Sequence, residues 1–509
     1  MVRCDGLAFT IAVLLPGVLI RIAKGMDDGQ QKRNSWNATR MNGTAMAAGG
    51  RTNRTGNERH NIPKEDDVLS WAVEPPRFAC DENNSASYSI YCQGTSMTWL
   101  RFRKIVVTKH KSERLSSEQR RMKKNVIIEG KVLHTVAMLN IFKDSKTFVD
   151  KPMKRDPEEI NAEFKSRFSR TITTNDREAV RSFIEENFGT EGEDLNECAE
   201  GTMSDWVDDP EYLISIDDDE MRRFALEIHA LWKKLCRTIK TEVKEHPKRY
   251  SILYVPNEFM IPGGRFRELY YWDSYWVVKG LIASGMHETA KHIIENFQYL
   301  IRQYGFVPSG NRNYYLRRTQ PPMFIPMVYE YHTVTEDDQF LISSLEAMET
   351  ELGFWKRKRT RQVIKNGKNY TIFQYKAETN VPRQVSLSFT SRLDLPESYR
   401  EDFLTAQGLD AGRKRHLWQE IASAAESGWD FSSRWLANGK TMDTIETSNI
   451  APVDLNAFMC WNMEILAHLH GALGRKCCMA APNSLDFLGS LTNSLLPYSG
   501  SFFGINITS

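Results

Sequence analysis

The stretch from Ser274 to Tyr304 constrains the fold more than any other part of the chain. Val278, Leu281 and Ile282 recur at helical spacing, Gly285 interrupts, and Ile293, Ile294, Phe297, Leu300 and Ile301 resume the stripe. Apolar residues three and four apart line one face of a 3.6-residue helix. The pattern therefore predicts a helix, a tight turn and a second helix, an αα-hairpin. Further helices are expected on the same grounds. Glu158–Phe168 and Asn175–Phe188 read as short amphipathic segments, the second opened by Thr173 and Thr174. Met221–Val243 carries Phe224, Ile228, Leu231 and Leu235 at helical spacing. Another helix is predicted after Pro452, with Asp454 as its cap and Leu455, Phe458, Met459, Ile465, Leu466 and Leu469 on its buried face. Strand signals are few. The expectation is an all-α domain whose inter-helix loops carry the chemistry.

The flanks differ from this body. Arg3 precedes an apolar stretch from Leu7 to Ile20, and Ala23 and Gly25 follow it. A positive start, a short apolar run and small residues describe a secretory signal over residues 1–25, with a signal anchor as the alternative. Residues 26–64 are polar and read as a glycosylated leader without a core. N-x-[ST] sequons stand at Asn37, Asn42, Asn53, Asn83, Asn369 and Asn506. Three of them crowd behind the signal, which supports passage through the secretory pathway. The expected location is therefore extracellular, and membrane anchoring is left undetermined. The eight Cys are scattered and show no metal-ligand spacing. Cys80 and Cys92 are near enough in sequence for a local staple, whereas Cys477-Cys478 has no evident role. Between Thr95 and Gly130 ten Lys or Arg face three Glu. Such a stretch can bind nucleic acid or acidic lipid, or form a solvated loop. The net charge of +2 points to no general nucleic-acid partner. No metal or cofactor is expected.

Three polar strings could carry chemistry. In the first, Ile261 to Tyr275, Pro262-Gly263-Gly264 lets backbone approach a ligand, Arg265 offers a bidentate donor, and Trp272 lies beside the Asp273 carboxylate. The structural alternative is a helix start capped by Asp273 or Ser274. In the second, Pro308 to Pro322, Arg, Asn, Gln and Tyr donors suit a hydroxyl-rich ligand or an exposed polar turn. In the third, Glu426 to Trp435, Asp430 sits between Trp429 and Phe431, where an apolar setting would raise its pKa and suit a general acid. Its alternative is again a helix cap.

Taken together, PGGRF-x-E-x-Y-x-WD-x-Y, YYL-x-R-x-QPP and ESGWDFSSRW resemble the trehalase family. Asp144 to Asp150, Pro396 to Asp402 and Pro452 to Asn456 add to the resemblance, which spans about Glu65–Cys92 and Val132–Leu473. It implies an (α/α)6 barrel over residues 65–473, with the 95–130 stretch as an insertion. It also implies hydrolysis of trehalose to two glucose molecules with inversion, which needs an acid and an opposing base. Carried over by motif, Asp430 would be the acid. Arg265, Trp272, Asp273, Arg318, Gln320, Glu397 and Gly428 would line the glucose pocket.

The resemblance has three breaks. Ser309 stands where the family usually has Asn. Leu395 stands where it usually has Arg, immediately before Pro396-Glu397, and Arg392 is three residues away. The QWD-x-P-x-GW-x-P signature, with the Glu that acts as base near it, has no match in residues 474–509. The expectations that follow are a barrel incomplete at its C-terminal end and, as the alternative function, a sugar-binding form impaired in catalysis.

Overall fold

Paired helices form the body of the computed structural model, which describes residues 131–365, 367–384, 399–473 and 505–506. The expected signal and leader, the 95–130 stretch, residues 474–504, the Cys80–Cys92 staple and Glu397 lie outside these residues. Among the described residues, four helices come first: α1 (Lys131–Met138), α2 (Ser145–Val149), α3 (Pro157–Arg167) and α4 (Arg177–Asn187). Pro157 opens α3 at its first turn, followed by Glu158 and Glu159, with Lys165 and Arg167 at the far end. That order suits the helix dipole. Thr173 caps the 3-10 turn leading into α4 through a capping box with Asp176, as the two threonines predicted.

Next come α5 (Glu211–Ile214), α6 (Asp219–Leu235) and α7 (Thr241–Glu245). Here the predicted Met221–Val243 helix is corrected. It stops at Leu235, because Cys236 enters a short strand and forms a disulfide with Cys198. A three-stranded antiparallel sheet follows from this, joining β1 (Leu195–Glu197), β2 (Cys236–Ile239) and β3 (Phe259–Met260). The stripe of α6 is not a buried face among the described residues either: Phe224, Ile228 and Leu231 are exposed, and His229 is the buried residue.

The predicted hairpin is present as α8 (Tyr271–Ala283) and α9 (His287–Tyr304). Gly285 at φ +74° makes the turn, a backbone region that suits glycine. Ile293, Ile294 and Phe297 of α9 are fully buried. Each contributes roughly 1.5–3 kcal/mol relative to exposure. A second hairpin pairs α10 (Phe324–Thr335) with α11 (Asp338–Lys358). Then follow the β-hairpin β4 (Thr360–Lys365) and β5 (Lys368–Phe373), α12 (Tyr399–Thr405) and α13 (Ala411–Glu426). The strand β6 (Ile450–Ala451) pairs with β7 (Ile505–Asn506), and α14 (Val453–Ala472) completes the helices. In the packing, α8 meets α9 and α10, and α10 meets α11 and α14. Helix-on-helix hairpins around one shared apolar core are the all-α, (α/α) toroid architecture expected from the sequence.

The helix after Pro452 begins as predicted, with one correction. Pro452 is its N-cap, and Asp454 lies within the first turn, where it pairs with Arg434 at 3.3 Å. Leu455, Met459, Ile465, Leu466 and Leu469 are buried, while Phe458 is half-buried.

The first four helices have their own core around Val132, Phe148, Phe164 and Phe183. A buried ionic cluster joins them to the barrel loops. Lys146 lies 2.5 Å from Asp150 and 2.6 Å from Glu268, and Arg312 lies 2.8 Å from Asp194 and 3.3 Å from Asp150. Tyr270 and Tyr314 donate their hydroxyls to Glu268 and Asp150. Burial pushes Asp150 upward, but Arg312 and Lys146 outweigh it and hold the carboxyl below its usual range. Burial raises the Asp194 carboxyl despite Arg312.

Candidate active site

Helix α13 ends at Glu426, and the next residues turn sharply. Gly428 adopts φ +75°, and a Cβ there would meet Trp272 Cζ2 at 2.9 Å. The indole of Trp272 therefore lies against bare backbone, which brings the start of α8 to the Asp430 loop. Ser427 Oγ accepts the Trp429 amide, and the Trp429 carbonyl accepts from the Ser432 amide and the Trp435 indole N–H. The Arg434 guanidinium stacks on Trp429 at 4.4 Å and on Trp435 at 5.3 Å. These contacts close the loop that carries Asp430.

The capping alternatives for both aspartates are excluded by the geometry. Tyr270 is the N-cap of α8 and Asp273 lies in its first turn. The Ser274 hydroxyl donates back to the Tyr270 carbonyl. Ser432, not Asp430, caps the 3-10 turn Ser433–Trp435. Burial raises the Asp273 carboxyl. It raises Asp430 as well, although the guanidinium groups of Arg383 and Arg318 pull the other way. Asp430 remains partly accessible. A carboxyl in that position can hold a proton and deliver it to a ligand atom.

Glu426 fixes the neighbouring loop, a role that the sequence reading missed. Its carboxylate accepts from Arg359 Nε at 2.9 Å and Nη2 at 2.8 Å, and from the amides of Thr319 at 2.9 Å and Lys376 at 3.0 Å. With Thr319 held, Gln320 Oε1 accepts the Trp272 amide at 3.2 Å. Arg318 lies over the Tyr315 ring at 5.0 Å. The Ser309 hydroxyl donates to the Thr319 carbonyl at 2.7 Å, so it is engaged within its own loop.

Of the predicted residues, Trp272, Gln320 and Gly428 are linked by direct contacts, and Arg318 acts electrostatically on Asp430. Asp273 follows Trp272 on α8. Arg265 is held by Asp144, the residue that caps α2, and lies over Phe266 at 5.5 Å. Leu395 and Arg392 lie outside the described residues together with Glu397. Among the described residues, Arg383 acts on the Asp430 carboxyl together with Arg318. The Arg383 side chain is clamped on Asp402 at 2.6 and 2.8 Å and stacks on Phe431 at 4.6 Å. Its signal in the sequence was the string Val381-Pro382-Arg383, twelve residues ahead of Leu395. Among the described residues no His, Cys, Asp and Glu group could hold a metal ion, and no helix is long and apolar enough to cross a membrane.

The family model for trehalase matches residues 140–484. The chain is 41% identical over 354 residues to a trehalase of Pimpla hypochondriaca, covering 69% of this chain and 58% of that protein. It is 40% identical over 352 residues to the trehalase of Homo sapiens, with 69% and 58% covered. A trehalase of Tenebrio molitor is 41% identical over 355 residues, with 69% and 61% covered. The chain thus spans about three fifths of the length of these relatives. Among solved structures, the neutral trehalase Nth1 from Saccharomyces cerevisiae aligns with a TM-score of 0.35 at 20% identity, over 49% of this chain and 48% of that one. With the matched region holding the Trp272, Gln320 and Asp430 loops, the chain belongs to the trehalase family.

Proposed function

We propose that the chain acts on α,α-trehalose as an inverting glycoside hydrolase, with Asp430 protonating the oxygen that leaves. The observation that carries this reading is the Asp430 carboxyl itself: raised by burial, free of any capping role, acted on by Arg383 and Arg318, and two residues after the Gly428 that packs against the Trp272 ring. An oxocarbenium-like transition state needs a proton on the departing oxygen and a water activated from the opposite face by a second carboxylate. Arg265, Trp272, Asp273, Arg318, Gln320, Glu397 and Gly428 would hold the glucose units. Arg383 supplies the guanidinium that Leu395 does not. The opposing base has no assigned residue here, since residues 474–509 carry no QWD-x-P-x-GW-x-P string. A second reading is that trehalose is bound without turnover.

The location proposed for the protein is extracellular. The disulfide between Cys198 and Cys236 supports it, because such bonds persist in oxidising compartments.

Glucose release from trehalose, measured beside Asp430→Asn and paired with calorimetric trehalose binding, tests the function. Release abolished by the substitution supports hydrolysis with Asp430 as acid. Binding without release supports the second reading. Absence of both from folded protein rejects trehalose as the ligand.

A further inference from the structure

The hairpin of β4 and β5 turns its two faces to different surroundings. On one, Tyr370 and Ile372 point inward and are buried. The other faces solvent and carries Gln362, Ile364 and Asn369. The register pairs Ile364 directly with Asn369 and Gln362 with Thr371. Ile364 is 75% exposed, the most exposed large apolar side chain among the described residues. Asn369, Tyr370 and Thr371 form an N-x-T sequon. Residues two apart on a strand share a face, so Asn369 and Thr371 stand together on the open side. The hairpin end beside them turns through Gly367 at φ +72°.

We propose that Asn369 is an N-glycosylation site and that its first sugar covers Ile364. This inference rests on the secretory reading given above. The chemistry is a group transfer from a polyprenyl-diphosphate-linked oligosaccharide. The Asn369 amide nitrogen bonds to the anomeric carbon as the carbon–oxygen bond to diphosphate breaks. The diphosphate leaves with the electron pair, and the amide gives up one proton. Directly paired residues of an antiparallel ladder hold their Cβ atoms about 4.5–5.5 Å apart. A sugar on Asn369 therefore lies within contact distance of the Ile364 side chain, and its C–H face removes that side chain from water. The two-stranded hairpin, marginal by itself, gains a cover on its open face.

The test expresses the full chain in a eukaryotic secretory host and analyses protein from the medium. Enzymatic release of N-glycans in H2(18)O, followed by peptide mass spectrometry, is expected to label residue 369. Asn369→Gln is expected to remove one glycan and lower the melting temperature, and Ile364→Ser is expected to keep the glycan while abolishing that melting difference. Secreted protein with residue 369 unmodified overturns the site. Equal melting shifts with and without Ile364→Ser overturn the contact. Protein retained inside the cell with every sequon unmodified overturns the secretory reading, and this inference with it.

Discussion

The Trp272 indole occupies the space that a side chain at residue 428 would need, 2.9 Å from where a Cβ would stand. Gly428 also adopts φ +75°. Left-handed backbone costs an L-residue about 1–2 kcal/mol. Gly428→Ala is therefore expected to lower stability by at least that amount and to weaken trehalose binding, because the ring must move. Thermal unfolding and calorimetry together check this. An unchanged affinity would show that Trp272 does not contribute to the pocket.

The Glu426–Arg359 pair is almost fully shielded, with side-chain exposures of 0% and 2%. Removing one partner strands the other charge, at a cost of about 3–5 kcal/mol. Glu426→Gln is expected to show this loss in urea unfolding. It should also loosen Thr319 and Gln320, and with them the Trp272 amide contact.

Burial pushes the Glu351 carboxyl up to about 8, even though the Tyr271 hydroxyl donates to it. The amides of Met323 and Phe324 donate to the same hydroxyl. From about pH 4.5 to 8 the unfolded chain has lost this proton and the folded chain keeps it. Stability therefore falls as pH rises through that window, by at most about 1.4 kcal/mol per pH unit. Glu351→Gln is expected to flatten the dependence, as measured by unfolding at a series of pH values.

The disulfide of Cys198 and Cys236 closes a loop of 38 residues' separation. Its removal by Cys198→Ser is expected to cost about 2–4 kcal/mol, read from unfolding of oxidised and variant protein. The same substitution should extend α6 beyond Leu235, which amide exchange at Cys236 and Arg237 would detect.

The helical hairpin at 274–304 was legible because one period of spacing and one glycine encode it. The α6 region was not, because periodicity reports which residues share a face and says nothing of what lies opposite. Nor does it reveal a disulfide partner 38 residues away. The β4–β5 hairpin was missed although Asn366-Gly367 is a strong hairpin signal, since the flanking runs are short and basic. In the site, the strings marked Asp430, Trp272 and Gln320. What joins them, Glu426 with Arg359 and Arg383 with Asp402, consists of contacts 67 and 19 residues apart that no local pattern records.

The charges buried at Lys146, Asp150, Asp194, Glu268 and Arg312 bear on how this molecule can come apart. Each belongs to a different stretch of chain or to a neighbour's ion pair, and none can leave without baring its counterpart. Opening either side of this cluster bares buried charge on the other, which couples the small helices before the barrel to the barrel loops when the protein unfolds.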